Sequence, residues 1–175
     1  MSAEPIPLLL LPGLLCDAAL WSRQLHHLGR ERGDTDERRT RRRVLLDLSR
    51  RDRFKGVTPR LLPSYLHPDR VAEPEPGGMV MAVAERLGPK LFLRHQRAIM
   101  HRPDRRDLLP HIAAPTLGIC GREDTARPLD HSTEMASSSP GARLAVIEEC
   151  GHLSPLERPQ AVTALLRLWL EGALP

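Results

Sequence analysis

Residues 114–124 read Ala-Pro-Thr-Leu-Gly-Ile-Cys-Gly-Arg-Glu-Asp, and residues 143–152 read Arg-Leu-Ala-Val-Ile-Glu-Glu-Cys-Gly-His. Each is an apolar run that closes near a glycine and delivers a polar residue just beyond it, Asp124 after Gly121 and His152 after Gly151. Short apolar runs bounded by turn residues are the pattern of buried strands. The spacing of about 28 residues between the acid and the imidazole leaves room for one helix, which a crossover between parallel strands requires. Pro128 to Ser139 is the candidate for that helix, with a thin apolar face of Leu129, Met135 and Ala136. Two parallel strands ending side by side would bring a carboxylate and an imidazole together.

Beyond His152 the local grammar is that of a helix start. Ser154 is placed to cap, Pro155 to occupy the first helical position and Glu157 to complete a capping box, with Val162, Leu165, Leu166, Trp169 and Leu170 as a buried stripe. At the front, residues 5 to 12 read as a second type of buried strand, bounded by prolines, followed by Gly13-Leu14-Leu15-Cys16-Asp17-Ala18-Ala19-Leu20-Trp21. Together these stretches resemble the α/β-hydrolase fold family, esterase- or lipase-like. The resemblance implies that Asp124 is the triad acid, with Glu123 beside it as an alternative, and that His152 is the triad base. It also implies that the backbone N–H of Leu14, in Pro12-Gly13-Leu14, serves an oxyanion hole.

The centre of the family pattern has no counterpart. No Gly-x-Ser-x-Gly occurs in the chain, and a serine nucleophile needs the sharp strand-to-helix turn which that motif makes. Ser22, Ser49 and Ser64 fall in expected helices, and Ser132 and Ser137 to Ser139 in the crossover. Gly29-Arg30-Glu31-Arg32-Gly33 has the glycine spacing, but no apolar strand precedes it. Cys16 lies in the oxyanion-type loop, where packing explains it better than nucleophilic chemistry.

The chain has 175 residues, a net charge of +4 and 3% aromatic residues. That is enough for one core but short for the resembled fold, which takes well over roughly 200 residues. Arginines 38, 39, 41, 42 and 43 are diluted by Asp34, Asp36, Glu37 and Asp47 and fit a solvated helix face, so no nucleic-acid partner is expected. Cys16, Cys120 and Cys150 lack any C-x-x-C spacing and suit a reducing compartment. The eight histidines show no metal-ligand spacing, so neither metal nor cofactor is expected. The apolar start is preceded by Glu4 and broken by Pro12-Gly13, unlike a signal peptide, and no run is long enough for a membrane span. A soluble cytoplasmic protein is the expectation.

Between the two family-like ends, residues 29–43 contain no apolar side chain, and their first half reads as a solvated linker. From about Asp36 a helix is expected, with Val44, Leu45 and Leu48 on one face and Glu37–Arg41 and Asp47–Arg51 as i,i+4 pairs. Short helices should follow to Leu66, then a proline- and glycine-rich loop over 68–78. Two apolar faces come next, Val80, Val83, Ala84 and Leu87, then Leu91, Phe92, His95, Ile99 and Met100, divided at Gly88-Pro89.

The expected architecture is therefore α/β: an incomplete α/β-hydrolase with a reduced parallel sheet of about three strands and a helical lid region. Residues 1–35 would carry the first strand, loop, helix and linker, 36–110 the lid-like helices, and 111–175 the strand-helix-strand-helix bearing acid and histidine. The implied activity is esterase-like hydrolysis of a small carboxylic ester or similar acyl compound, weak or absent without a nucleophile. The alternative is a truncated or non-catalytic binding module on the same scaffold. Missing central strands leave sheet edges through which self-association is expected.

Overall fold

A computed structural model describes residues 35–50 and 57–173, with the side chains of 45 and 48–50 excepted. The expected strand over 5–12, the oxyanion-type loop with Leu14 and Cys16, Ser22 and the linker lie outside the described residues. The two halves of the opening sequence pair as expected. Strand β1 (Leu117–Gly121) and strand β2 (Arg143–Ile147) are parallel, in register from Leu117 opposite Arg143 to Gly121 opposite Ile147. Helix α3 (Leu129–Ser138) connects them and packs against both. Among the described residues the sheet has these two strands, and the remaining expected strand, over 5–12, lies outside them.

Only the C-terminal ends of the strands are deeply buried, at Cys120, Gly121 and Ile147. The strands are therefore most deeply buried where they release their polar residues.

Helix α1 (Asp36–Arg50) starts with acidic residues against its dipole and carries the expected Arg41–Glu37 pair at 2.8 Å. Among its described side chains Leu46 is buried, whereas Val44, expected on the apolar face with Leu45 and Leu48, is 55% exposed. Arg42 leaves the solvated row and donates to the buried Gln96 at 2.6 Å, tying α1 to helix α2 (Pro74–Met100). The expected loop over 68–78 is mostly ordered helix: a 3₁₀ turn at Pro68–Arg70, then α2 from Pro74. Prolines 74 and 76 fall in the first turn of α2, where no intrahelical bond needs their missing N–H. Gly77 lets that turn approach Leu62, whose Cδ1 would stand 3.0 Å from an added β-carbon. The division expected at Gly88-Pro89 is present as a break inside α2, with Gly88 at φ 70°. Pro89 bars its neighbour from helical geometry, and glycine takes the left-handed turn without a steric penalty.

Val57, Leu62, Leu66, Val80 and Ala84 form the main core, with Tyr65, Val71, Met81 and Leu153 packed around it. Leu153 belongs to the loop after β2, so the helical region and the strand ends share one interior.

The last helix differs most from expectation. It is split into α4 (Ser154–Glu157) and α5 (Pro159–Leu170) at Arg158, which sits at φ −135°, ψ 56° directly before Pro159. Proline pushes the preceding residue out of helical geometry, and the heptad-like stripe hid that local veto. Leu153, not Ser154, holds the N-cap position of α4, and no side-chain oxygen caps it. The stripe of α5 is half-exposed, with Leu170 at 56% exposure.

Candidate active site

Asp124 and His152 meet. Nδ1 of His152 lies 2.8 Å from Oδ2 of Asp124, and both side chains are largely withdrawn from solvent. The other carboxylate oxygen, Oδ1, accepts the backbone N–H of Arg127 at 2.7 Å. With one oxygen held by the main chain, the carboxylate is fixed in orientation and its second oxygen is directed at the ring. A carboxylate on Nδ1 favours the tautomer in which Nδ1 carries the proton and Nε2 is a free base.

Glu123, the alternative acid, is used differently. Its N–H donates to the carbonyl of Cys150 at 3.0 Å, and its Oε2 accepts the N–H of Cys150 at 2.9 Å. It closes a two-bond clasp between the loops after β1 and β2 and leaves the imidazole to Asp124.

The loop that carries His152 is held at nearly every residue. Arg122 pairs with Glu148, and Arg158 binds both the carbonyl and the carboxylate of Glu149. Glu149 sits at φ 49°, the only non-glycine residue with positive φ among the described residues. That left-handed bend turns the chain from β2 into Cys150-Gly151-His152. The N–H of His152 donates to the carbonyl of Tyr65 at 2.9 Å. The Tyr65 ring lies 6.4 Å from the imidazole, centroid to centroid, with the planes tilted by 43°. Burial pushes the Tyr65 phenol above its usual value of 10, with Arg42 acting in the opposite sense.

Glu157 is the residue whose place the sequence did not foretell. Its side chain is 1% exposed, and its oxygens accept main-chain N–H groups from His67, Gly151 and Leu153. A capping-box reading draws it only to its own helix. Its bond back to the helix start goes to the N–H of Leu153, one residue before the expected cap, and the reach to His67 depends on a contact 90 positions away. Tyr65 carried one usable signal, being the chain's single tyrosine.

No hydroxyl or thiol among the described residues is hydrogen-bonded to the imidazole of His152. Ser64 is exposed in its 3₁₀ turn, and Ser132, Ser137 and Ser138 are part of α3, as the sequence led one to expect. Cys120 and Cys150 are free, buried thiols. Burial, followed by the nearby Glu157 charge, pushes Cys150 up to about 12, which disfavours a thiolate there at neutral pH. A shallow groove of about 330 Å³ runs along α5 between Pro159 and Arg167 and includes neither Asp124 nor His152. No helix among the described residues is long and apolar enough to cross a membrane.

The described residues have part of the α/β-hydrolase fold. No protein-family model matches the chain, but known proteins do. It is 25% identical over 175 residues to a proline iminopeptidase of Lactobacillus acidophilus, covering 97% of this chain and 58% of that protein. In three dimensions it resembles a thermophilic esterase from Thermogutta terrifontis, with a TM-score of 0.73 and 29% identity, over 82% of this chain and 53% of the esterase. An enol-lactonase from Burkholderia xenovorans shares the fold at a TM-score of 0.70 and 24% identity, covering 91% of this chain and 62% of that one. The chain thus spans a little over half the length of each of these relatives.

Proposed function

We infer that this chain is an acyl-hydrolase scaffold in which His152 is the general base and Asp124 the acid that orients it. Without a nucleophile elbow it hydrolyses small carboxylic esters or similar acyl compounds weakly or not at all. The observation that carries this reading is the 2.8 Å bond between Nδ1 of His152 and a carboxylate whose other oxygen is already anchored. In acyl transfer by such a pair, Nε2 removes the proton of an attacking hydroxyl, the acid stabilises the imidazolium, and the proton then passes to the leaving group. Among the described residues the first of those steps lacks its hydroxyl. The likeness to an esterase supports an ester as the compound class, and Leu14 is kept as the oxyanion donor on its sequence context. Residues 36–110 are read as the lid and 111–175 as the unit bearing acid and base. The free, buried thiols of Cys120 and Cys150 support a reducing, cytoplasmic setting.

Incubation with a fluorophosphonate probe, alongside a p-nitrophenyl ester assay, tests the reading. Labelling no greater than that of heat-denatured protein is expected. Any slow ester hydrolysis should fall in both His152→Ala and Asp124→Asn, since residual catalysis would run through the same pair. Labelling that vanishes on mutation of one serine would overturn the inference that the nucleophile is missing. Ester hydrolysis indifferent to both substitutions would overturn the assignment of the pair.

A further inference from the structure

We propose that Glu157 is a positioning residue for His152, holding the main chain on both sides of the imidazole so that Nδ1 meets Asp124. The proposal rests on reading His152 and Asp124 as base and acid. Oε1 accepts the N–H of Gly151 at 3.1 Å and of Leu153 at 3.2 Å, while Oε2 accepts Gly151 at 3.1 Å and His67 at 2.7 Å. Gly151 and Leu153 bracket His152, and His67 belongs to the helical region, so one carboxylate ties three separate points of chain together.

Glu157 has the chemistry of a designed contact and not of a stray surface acid. A carboxylate at 1% exposure is costly unless its lone pairs are used, and here four main-chain bonds use them. Among the described residues no cation is paired with it. The main-chain N–H groups of His67, Gly151 and Leu153 solvate the charge, and it holds them in place. The space for this arrangement is set by Gly151, where an added β-carbon would stand 2.7 Å from His67 N and 3.0 Å from Glu157 Oε1.

The consequence for His152 is geometric. The bond to Tyr65 restrains the His152 N–H, Asp124 restrains the ring, and Glu157 restrains the peptides before and after. A displacement of about 1 Å in a reacting group is enough to cost on the order of a hundredfold in rate. Glutamine cannot replace the acid. Whichever way its amide is turned, the NH2 faces two N–H donors and two of the four bonds are lost.

Nuclear magnetic resonance of the full chain tests this without requiring activity. The wild type should show a downfield His152 Nδ1 proton and the matching ring-nitrogen pattern, and Asp124→Asn should abolish both. In Glu157→Gln the amide spectrum should remain that of a folded protein while the Nδ1 proton broadens or disappears. If Asp124→Asn removes the signal and folded Glu157→Gln leaves it unchanged, the positioning role is refuted and the pair stands. If the wild type lacks the signal, or Asp124→Asn does not move it, the pair itself fails and the proposal with it. Should Glu157→Gln not fold, Glu157→Asp supplies the reading: its shorter arm cannot reach His67, Gly151 and Leu153 together, so the Nδ1 proton should broaden or disappear. A folded Glu157→Asp with an unchanged ring signal overturns the proposal.

Discussion

Gly121, the last residue of β1, stands against the carbonyl of Gly151: a β-carbon on Gly121 would come within 2.2 Å of that oxygen and of the carbonyl of Cys150. The two glycines that end the two apolar runs are therefore packed backbone to backbone, and this contact sets the separation of the loops that carry Asp124 and His152. Gly121→Ala must move main chain, not a flexible side-chain tip. It is expected to lower stability by about 2–3 kcal/mol or prevent folding, read from urea denaturation midpoints. Gly78→Ala is the control, since nothing lies within 4 Å of its added carbon in α2. It should be neutral or stabilise by about 0.5–1 kcal/mol. Equal losses at the two positions would show that the close approach is not what Gly121 provides.

Leu66 is 2% exposed and joins the main core directly before His67, whose N–H meets Glu157. Leu66→Ala should cost about 2–5 kcal/mol through lost burial and an unfilled cavity. Because the cavity opens beside the His152 loop, amide exchange at Gly151 and Leu153 should accelerate more than at the middle of α3. Uniform acceleration would argue against a shared interior.

Alkali should unfold the protein earlier than its carboxylates would suggest. Burial raises Cys150 from its usual 9.0 to about 12, raises Cys120, and raises Tyr65 above 10. For each, the folded state holds the proton more tightly than the unfolded chain does. The associated stability is present in full below pH 9 and is lost as pH rises towards 12. Urea midpoints should fall steadily from pH 9 upward, and Cys150→Ala should flatten that slope whatever it does to the value at neutral pH. A midpoint that holds constant to pH 11 would contradict the burial of these groups.

Among the described residues each strand has one edge without a partner, and the apolar side of α5 is only half covered. A marginal fold that self-associates is the expected result, since open sheet edges pair with copies of themselves. Sedimentation should show mass rising with concentration, and melting should occur below about 60 °C. A monomer with a cooperative transition above that temperature would be inconsistent with it.

The legible parts of this chain were those decided by neighbours in sequence. Glycine closing an apolar run marked both strand ends, Gly88-Pro89 marked the break in α2, and the meeting of Asp124 with His152 followed from their places after the two strands. Periodicity misled where a local veto or a distant contact intervened. Arg158 leaves the helix because Pro159 follows it, and Pro74-Glu75-Pro76-Gly77-Gly78 looks like a loop although its prolines occupy a first turn. That Leu46 is buried and Val44 exposed follows from what α1 packs on, which periodicity within α1 does not contain.

By itself the sequence determined that two parallel strands would release an acid and an imidazole at one end of a sheet, and that no elbow serine accompanies them. Both are properties of residue order and backbone preference over short spans. The tertiary structure decided which acid faces the ring, giving Asp124 the imidazole and Glu123 the backbone of Cys150. It also decided that Glu157 serves His67, Gly151 and Leu153. A buried carboxylate takes whichever N–H groups the fold brings within about 3 Å, and those groups are chosen by chain packing across long sequence separations.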